Sequence, residues 1–275
     1  MLSGTSPDAL SGGWDDLTET LEAHADLLRR RVETYRVQTN EVQRCTFLLP
    51  ALLAAARETG LPLELLELGP SAGLNLIADR YRYRYTEGEW GAPQARPELR
   101  TREEGRPVPR ELLSGGLEVR RRVGVDLSPV DATTDEGYLQ LRSFVWPGLD
   151  DRIARLDAAV ETLRALPDPP ELIAGDFVRA LPELLSVRPA DALTVVIDTF
   201  ASVFLPDSEA AVLAETLETA AADGRPLASA AVRHSDELSV PAPGLLVLEL
   251  RVWPGPPRVA AHVDPHGNRL EWVLP

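Results

Sequence analysis

Apolar residues recur along this chain in two periods, and the change from one period to the other marks the expected helices and strands. The first stretch has the helical period and predicts one amphipathic helix. Its apolar positions are Leu17, Leu21, Leu28, Val32 and Tyr35. A second helix is predicted over 41–59, because Gly60 and Pro62 follow it and stop helical pairing. We expect these helices to form an N-terminal cap over residues 1–62.

Short apolar runs after this cap predict strands, most clearly Leu63 to Leu68 and the β-branched run Ala192 to Asp198. Stretches of helical period separate the predicted strands, and this alternation favours a parallel sheet. Near the end, Leu245 to Trp253 and Arg258 to Val263 follow each other without a helix, which favours an antiparallel hairpin. Residues 63–275 are therefore expected to form one α/β domain with a mostly parallel sheet.

Residues 81–120 interrupt this alternation. The segment opens with Tyr81, Tyr83 and Tyr85 in the strand period and continues with many glycines and prolines. Such a composition predicts a hairpin followed by a long loop rather than a helix. We interpret the segment as an insertion that decorates the site.

Composition narrows the class of protein. The 275 residues carry a formal net charge of −15, whereas a nucleic-acid binder should present a basic face. The single cysteine, Cys45, excludes a disulfide within the chain and a cysteine-based zinc cluster. Neither a signal peptide nor a long apolar span is evident, so we expect a cytoplasmic protein without nucleic-acid or membrane partners.

The first segment whose residues could form a functional site is Glu67 to Gly73, E-L-G-P-S-A-G. A strand that ends in an acid and passes through a glycine turn into a helix can hold a polar cofactor at the helix N-terminus. We expect that helix over 72–80. Gly69 would allow the sharp turn, and Gly73 would let a ligand approach the backbone. A strand–helix corner without a ligand is the alternative.

The same turn also has the G-x-S-x-G pattern of an α/β-hydrolase nucleophile elbow, with Ser71 as the nucleophile. His234, His262 and His266 follow as possible bases. In that fold several strands precede the elbow, whereas here only helices are predicted before the first strand. Strand order therefore disfavours the hydrolase interpretation.

Acids follow the later strands as well. Asp126 could accept the two ribose hydroxyls of a nucleoside cofactor, and Asp176 could reach the adenine amine with Phe177 against the ring. Asp198 and Thr199 fall where open α/β sheets bind their ligands. Helix capping explains each aspartate equally well in isolation.

Taken in order, these segments resemble the class I S-adenosylmethionine-dependent methyltransferases, which have a Rossmann-like fold. E-L-G-P-S-A-G is similar to the first motif of that superfamily, V-G-V-D-L-S-P to its second-strand motif, and A-G-D-F to its adenine-contacting motif. Ser71 stands where the superfamily has its middle glycine, and Gly69 and Asp126 are farther apart than one helix requires. The resemblance implies S-adenosylmethionine as cofactor. The implied binding residues are Glu67, Gly69, Ser71, Gly73, Asn75, Asp126, Asp176 and Phe177.

A narrower resemblance covers the chain from about residue 35 to the end. Several segments are similar to a bacterial family of unknown function, number 2332. They are Q-T-N-E-V-Q-R, S-A-G-L-N-L, D-R-Y-R-Y, V-D-L-S-P-V-D, V-W-P and D-P-H-G. This likeness indicates kinship and implies no reaction.

A methyltransferase acting on a small molecule would need to align its acceptor, and an acceptor hydroxyl or amine would need a base. Asp198 is the first candidate and His234 the second, although each could equally be a capping aspartate or a surface histidine. A Rossmann-like module that binds a nucleoside or a protein partner without catalysis is the alternative. A nicotinamide enzyme is disfavoured, because the G-x-G-x-x-G spacing is incomplete. The segment 262–266, H-V-D-P-H, fits a turn better than a metal site.

Overall fold

The computed structural model describes residues 13–34, 38, 40–234 and 246–275, with only the backbone of His234. Contacts divide the chain into two compact units, residues 1–38 and 39–275. In the first unit the predicted single helix is two helices, because the backbone leaves helical geometry at His24. Tyr35 lies outside the described residues.

The helices and strands alternate along most of the second unit. The helices are α1 (Trp14–Ala23) and α2 (Ala25–Thr34) in the first unit, and α3 (Cys45–Thr59), α4 (Arg110–Leu113), α5 (Asp135–Ser143), α6 (Asp150–Arg164), α7 (Phe177–Ser186) and α8 (Asp207–Ala221) in the second. The strands are β1 (Leu63–Leu68), β2 (Arg82–Arg84), β3 (Glu89–Trp90), β4 (Glu98–Arg100), β5 (Arg102–Glu103), β6 (Val119–Asp126), β7 (Glu171–Ala174), β8 (Leu193–Asp198), β9 (Leu227–His234), β10 (Leu246–Val252), β11 (Arg258–Val263) and β12 (Arg269–Trp272).

Within the described residues, nine strands form the large sheet in the order β5-β12-β11-β10-β9-β8-β1-β6-β7. The neighbours from β7 to β9 are parallel, and β9 to β12 are antiparallel. Counted among themselves in chain order, the five parallel strands lie in the order 3-2-1-4-5 of doubly wound sheets. The predicted Rossmann-like α/β class with an antiparallel C-terminal part is therefore confirmed.

Alternating residues of the parallel strands face two separate apolar layers. Leu63 and Leu65 of β1 pack in the layer that includes α3 and α6, whereas Leu66 and Leu68 pack in the layer that includes α7 and α8. Both faces of the sheet are covered by helices, as a parallel sheet requires. No helix within the described ranges is long and apolar enough to cross a lipid bilayer.

The insertion leaves the pairing of β1 with β6 intact. Leu68 lies beside Val125 in the register of these two parallel strands. The chain between them forms the expected hairpin, β2 with β3, and β4 adds to it as a parallel neighbour. The tyrosines that open the insertion are core residues that donate hydrogen bonds to backbone carbonyls. They are Tyr81 to Leu74, Tyr83 to Ala78 and Tyr85 to Thr46.

Candidate functional site

The turn after β1 places three residues in left-handed backbone geometry. The φ angles are +66° at Gly69, +54° at Ser71 and +72° at Gly73. The chain then continues as a six-residue 3-10 helix, Asn75–Arg80, and not as the α-helix expected over 72–80. Backbone bonds of the i to i+3 type set this geometry, beginning with the Gly73 amide and the Pro70 carbonyl. A short 3-10 segment offers little dipole, so the helix-terminus argument for a cofactor is lost.

This turn is fastened to the end of β6. The amide of Gly69 donates to the Val125 carbonyl over 2.9 Å, and the Val130 amide donates to the Ser71 carbonyl over 3.0 Å. The pyrrolidine ring of Pro70 packs so closely on Gly124 that a Cβ there would lie 2.4 Å from its Cγ. The G-P-S-A-G turn is thus positioned by the second strand of the parallel sheet.

The glycines of the turn are required by the packing of the protein itself. A Cβ on Gly69 would lie 2.8 Å from Cβ of Ala201, and one on Gly73 would lie 3.2 Å from Cδ2 of Leu172. Gly73 therefore makes room for a leucine of β7, where the sequence suggested room for a ligand. Their positive φ angles also favour glycine over other residues.

Asp126, at the carboxyl end of β6, organises two loops. Its Oδ2 accepts the amide of Ser71 over 2.9 Å, and its Oδ1 accepts the amide of Ser128 over 2.8 Å. The side chain is nearly buried, and a carboxylate oxygen can accept more than one hydrogen bond. Hydroxyl groups of a ligand can thus be accepted only in addition to these backbone bonds, and the ribose role stays a prediction.

Glu67 lies one residue before the end of β1 and is 1 % exposed. Its Oε1 accepts a hydrogen bond from Nδ2 of Asn75 over 2.8 Å, whereas Oε2 is buried without a partner among the described residues. Burial raises the pKa of this carboxyl to about 7, against the lowering effects of Asn75 and Arg44. Glu67 and Asn75, both predicted site residues, are brought into direct contact.

Arg44, which is not among the predicted site residues, lies beside these groups. Its Nε donates to the carbonyl of Pro265 over 3.0 Å, and Nη1 donates to the carbonyl of Thr199 over 3.3 Å. The guanidinium carbon lies 4.3 Å from the ring centroid of Phe200, whose φ of +121° is strained for a residue with a side chain. Desolvation lowers the pKa of Arg44 to about 10, while Glu41 and Glu67 oppose this effect.

Asp198, the first candidate for a catalytic base, holds the chain that follows β8. Its Oδ1 accepts the amides of Phe200 and Ser202, and its Oδ2 accepts Nη1 of Arg233 over 3.1 Å. Both oxygens of this buried carboxylate are thus engaged. His234, the second candidate, ends β9, and its side chain lies outside what the structure describes.

Asp176 and Phe177 lie at the start of α7. Oδ1 of Asp176 accepts the amide of Val178 over 2.8 Å and so caps the helix. Phe177 is buried in the apolar layer under α7. The capping alternative therefore describes what Asp176 does here, and a contact of either residue with adenine stays a prediction.

The segment D-P-H-G-N forms the expected turn between β11 and β12, with the amide of Gly267 donating to the carbonyl of Asp264. The turn is docked on the start of α3, because Oγ1 of Thr46 donates to the Gly267 carbonyl over 2.8 Å. His262 pairs through Nδ1 with Glu271 at 3.0 Å. In the described part of the chain, no three metal-binding side chains lie together.

The site residues thus separate into a connected group and outlying ones. Glu67, Asn75, Arg44, Asp126 and Asp198 lie at the carboxyl ends of adjacent parallel strands or against them. One signal for Arg44 was present in the sequence, since a charged residue directly precedes the apolar run C-T-F-L-L. A cation at the edge of a buried helix usually has a buried partner.

Comparison with known proteins gives one result that covers the chain. A family model described as "Uncharacterized protein conserved in bacteria (DUF2332)" matches residues 3–272. No curated protein and no solved structure matches. The match confirms the narrower of the two resemblances and leaves the reaction to be argued from the site. Because it covers nearly the whole chain, the protein belongs to the DUF2332 family of bacterial proteins.

Proposed function

We propose that the protein binds S-adenosylmethionine at the carboxyl ends of β1, β6 and β8 and transfers its methyl group to an unidentified small molecule. The observation that carries the proposal is the position of these strand ends in the sheet. Between β1 and β8 the connections of the parallel strands diverge, and open α/β sheets bind ligands at such a switch point. Glu67 lies near the end of β1 and Asp126 at the end of the adjacent β6, and both are acids suited to polar groups of a nucleoside cofactor.

The chain's own residues would act mainly by positioning. Asp126 would accept the ribose hydroxyls in addition to its backbone hydrogen bonds, while Gly69, Ser71 and Asn75 shape the turn beside it. Asp176 lies at the β7 side, where the adenine ring would extend. The cofactor itself supplies an activated methyl group, so the protein has to align an acceptor rather than generate a nucleophile for every substrate.

A second function is favoured by one observation, the engagement of Asp198. A carboxylate that already accepts two amides and an arginine is poorly placed to take a proton from an acceptor. A nucleoside-binding protein without transferase activity would not need such a base. The hydrolase alternative has less support, because Ser71 is only 6 % exposed, whereas a nucleophile elbow presents its serine at the top of the sheet.

Calorimetry with S-adenosylmethionine, S-adenosylhomocysteine and NAD tests the proposal. We expect binding of the first two only, and a loss of about tenfold or more in Asp126→Ala, equivalent to about 1.4 kcal/mol. Glu171→Gln is the matched control, since it removes only an exposed ion pair with Arg121. Failure of both sulfur nucleosides to bind at millimolar concentration would overturn the proposal.

A second measurement separates the two functions. The protein is incubated with S-adenosylmethionine and a broad metabolite mixture, and formation of S-adenosylhomocysteine is followed. Turnover above that of Asp126→Ala supports a transferase. Tight binding without turnover supports the nucleoside-binding alternative.

A further inference from the structure

Two opposite charges at the switch point lack the partners that such groups have elsewhere in this molecule. Oε2 of Glu67 is buried without a hydrogen bond among the described residues. In the same part of the chain, Arg44 donates to two backbone carbonyls and forms no ion pair with a carboxylate. A buried charge without a full set of partners is costly, so it calls for an explanation.

Other buried carboxylates of the molecule show the contrast. Glu41 has both Arg152 and Arg155 within ion-pair distance, at 2.9 and 3.5 Å. Asp79 has Arg122 at 2.7 Å, and Asp198 is bonded to Arg233. Each of these three acids thus has an arginine beside it, whereas Glu67 receives the neutral amide of Asn75.

Glu67 and Arg44 are parts of one connected cluster. The thiol of Cys45, the residue after Arg44, donates to Oδ1 of Asn75 at 3.4 Å, and Asn75 donates to Glu67. Arg44 donates to the carbonyl of Thr199, the residue after β8, and Glu67 lies one residue before the end of β1. The guanidinium and the carboxylate thus lie at the ends of the two strands that border the switch point, and each charge shifts the pKa of the other.

We infer that Glu67 and Arg44 together form a receptor for a zwitterionic α-amino acid group, with Arg44 binding the carboxylate and Glu67 binding the ammonium. The inference rests on the proposed function in one respect, because the amino acid end of S-adenosylmethionine is such a group. A free α-amino acid has the same chemistry and is the other possible source.

The geometry of Arg44 fits this role. Its Nε and Nη1 are held by carbonyls, and the ring of Phe200 lies against the guanidinium plane. A carboxylate approaching the remaining Nη2 would meet a fork that is already oriented, which lowers the cost of ordering it. The anion would also supply the counter-charge that the two carbonyls do not.

The test compares ligands with and without the amino acid group. Wild-type protein and Arg44→Gln are titrated with S-adenosylhomocysteine, with 5′-methylthioadenosine, which lacks that group, and with L-methionine. Wild type should bind S-adenosylhomocysteine about tenfold or more tightly than 5′-methylthioadenosine. Arg44→Gln should remove this preference and leave the affinity for 5′-methylthioadenosine within about twofold of wild type.

Three further variants complete the design. Glu67→Gln should also weaken the binding of S-adenosylhomocysteine more than that of 5′-methylthioadenosine, because it removes the anion that meets the ammonium. Arg121→Gln, at an exposed ion pair, is the matched control and should change neither affinity. If Arg44→Gln does not fold, as judged by its thermal transition, Arg44→Lys keeps the charge without the fork and should show a partial loss of the preference.

The outcomes distinguish this inference from the proposed function. If wild type binds S-adenosylhomocysteine and 5′-methylthioadenosine with equal affinity, the inference is overturned. It is also overturned if Arg44→Gln weakens the binding of both nucleosides equally. In either case the proposal of nucleoside binding is unaffected. If only L-methionine binds, and Arg44→Gln abolishes that binding, the amino acid receptor is supported and the proposal of S-adenosylmethionine as cofactor is overturned. Absence of binding by all three ligands would overturn both.

Discussion

The amide of Ser71 donates a hydrogen bond of 2.9 Å to Oδ2 of Asp126, a residue 55 positions farther along the chain. This bond joins the turn after β1 to the end of β6, so the two form one unit despite the insertion between them. The large spacing between Gly69 and Asp126 is thereby explained, because the inserted chain loops out while the two strands keep their register.

The contact of Pro70 with Gly124 should be essential for this unit. In Gly124→Ala the new Cβ would lie 2.4 Å from Cγ of Pro70, and a proline ring cannot rotate away. We expect the free energy of unfolding to fall by about 1–3 kcal/mol, measured by chemical denaturation. Gly175→Ala is the control, since nothing lies within 4 Å of its added Cβ. Equal effects of the two substitutions would contradict this account.

The left-handed backbone geometry of Ser71 should lower the stability of the protein. At a φ of +54° a residue with a Cβ costs roughly 1–2 kcal/mol more than glycine, although glycine loses more chain entropy on folding. Ser71→Gly should therefore be more stable than Ser71→Ala by about 1 kcal/mol. Both variants lack the hydroxyl, so their thermal transitions compare the backbone alone. The opposite ranking would show that the left-handed geometry carries no cost.

Ionisation of Glu67 should lower stability as pH rises. With a folded pKa of about 7 against an ordinary value of 4.5, the native state binds more protons than the unfolded state between these values. The contribution is therefore fully present below pH 4.5 and is lost as pH rises through about 7. The groups that act on Glu67 are Asn75, Arg44, Asp126 and Asp198.

Glu67→Gln removes this titration and keeps an oxygen for Asn75. We measure the free energy of unfolding of both proteins by denaturation at pH 5 and pH 8. From pH 5 to pH 8 the value for wild type should fall by about 2 kcal/mol more than the value for the variant. Using this difference cancels every other group that titrates in both proteins. A constant difference would mean that Glu67 has an ordinary pKa in the folded protein.

The Asp198–Arg233 pair should be structural. A double-mutant cycle with Asp198→Asn, Arg233→Gln and the combined variant should give a coupling of about 1 kcal/mol in the free energy of unfolding. Asp198→Asn alone should destabilise, since a partly buried guanidinium loses its carboxylate. If instead Asp198→Asn is as stable as wild type and only turnover falls, Asp198 is the base that the sequence suggested.

Local patterns in the sequence were sufficient for most elements of the fold. The apolar run before Gly69 and the β-branched run before Thr199 became β1 and β8, because burial on both faces of a parallel sheet leaves an unmistakable composition. The prediction of an α-helix after Gly73 was wrong, because the chain there forms a 3-10 helix. Its geometry depends on the three alternate left-handed residues of the preceding turn and on the contact of that turn with β6, which no local window contains.

The partners of the site residues could not be predicted in this way. Pairing of Asp198 with Arg233 and the position of Arg44 beside Glu67 depend on which strands are neighbours. Strand order is a property of the whole chain, and several orders suit the same alternation of helices and strands. The residue types at strand ends were therefore predictable, while their contacts were not.

The chain's single thiol has a consequence of another kind. Cys45 is buried against Asn75, and burial raises its pKa well above the ordinary range, so it should be inert while the site is closed. Its rate of reaction with an aromatic disulfide reagent would then measure how often this part of the molecule opens. Because no other cysteine adds background, the native protein carries an intrinsic kinetic probe for local opening around Cys45.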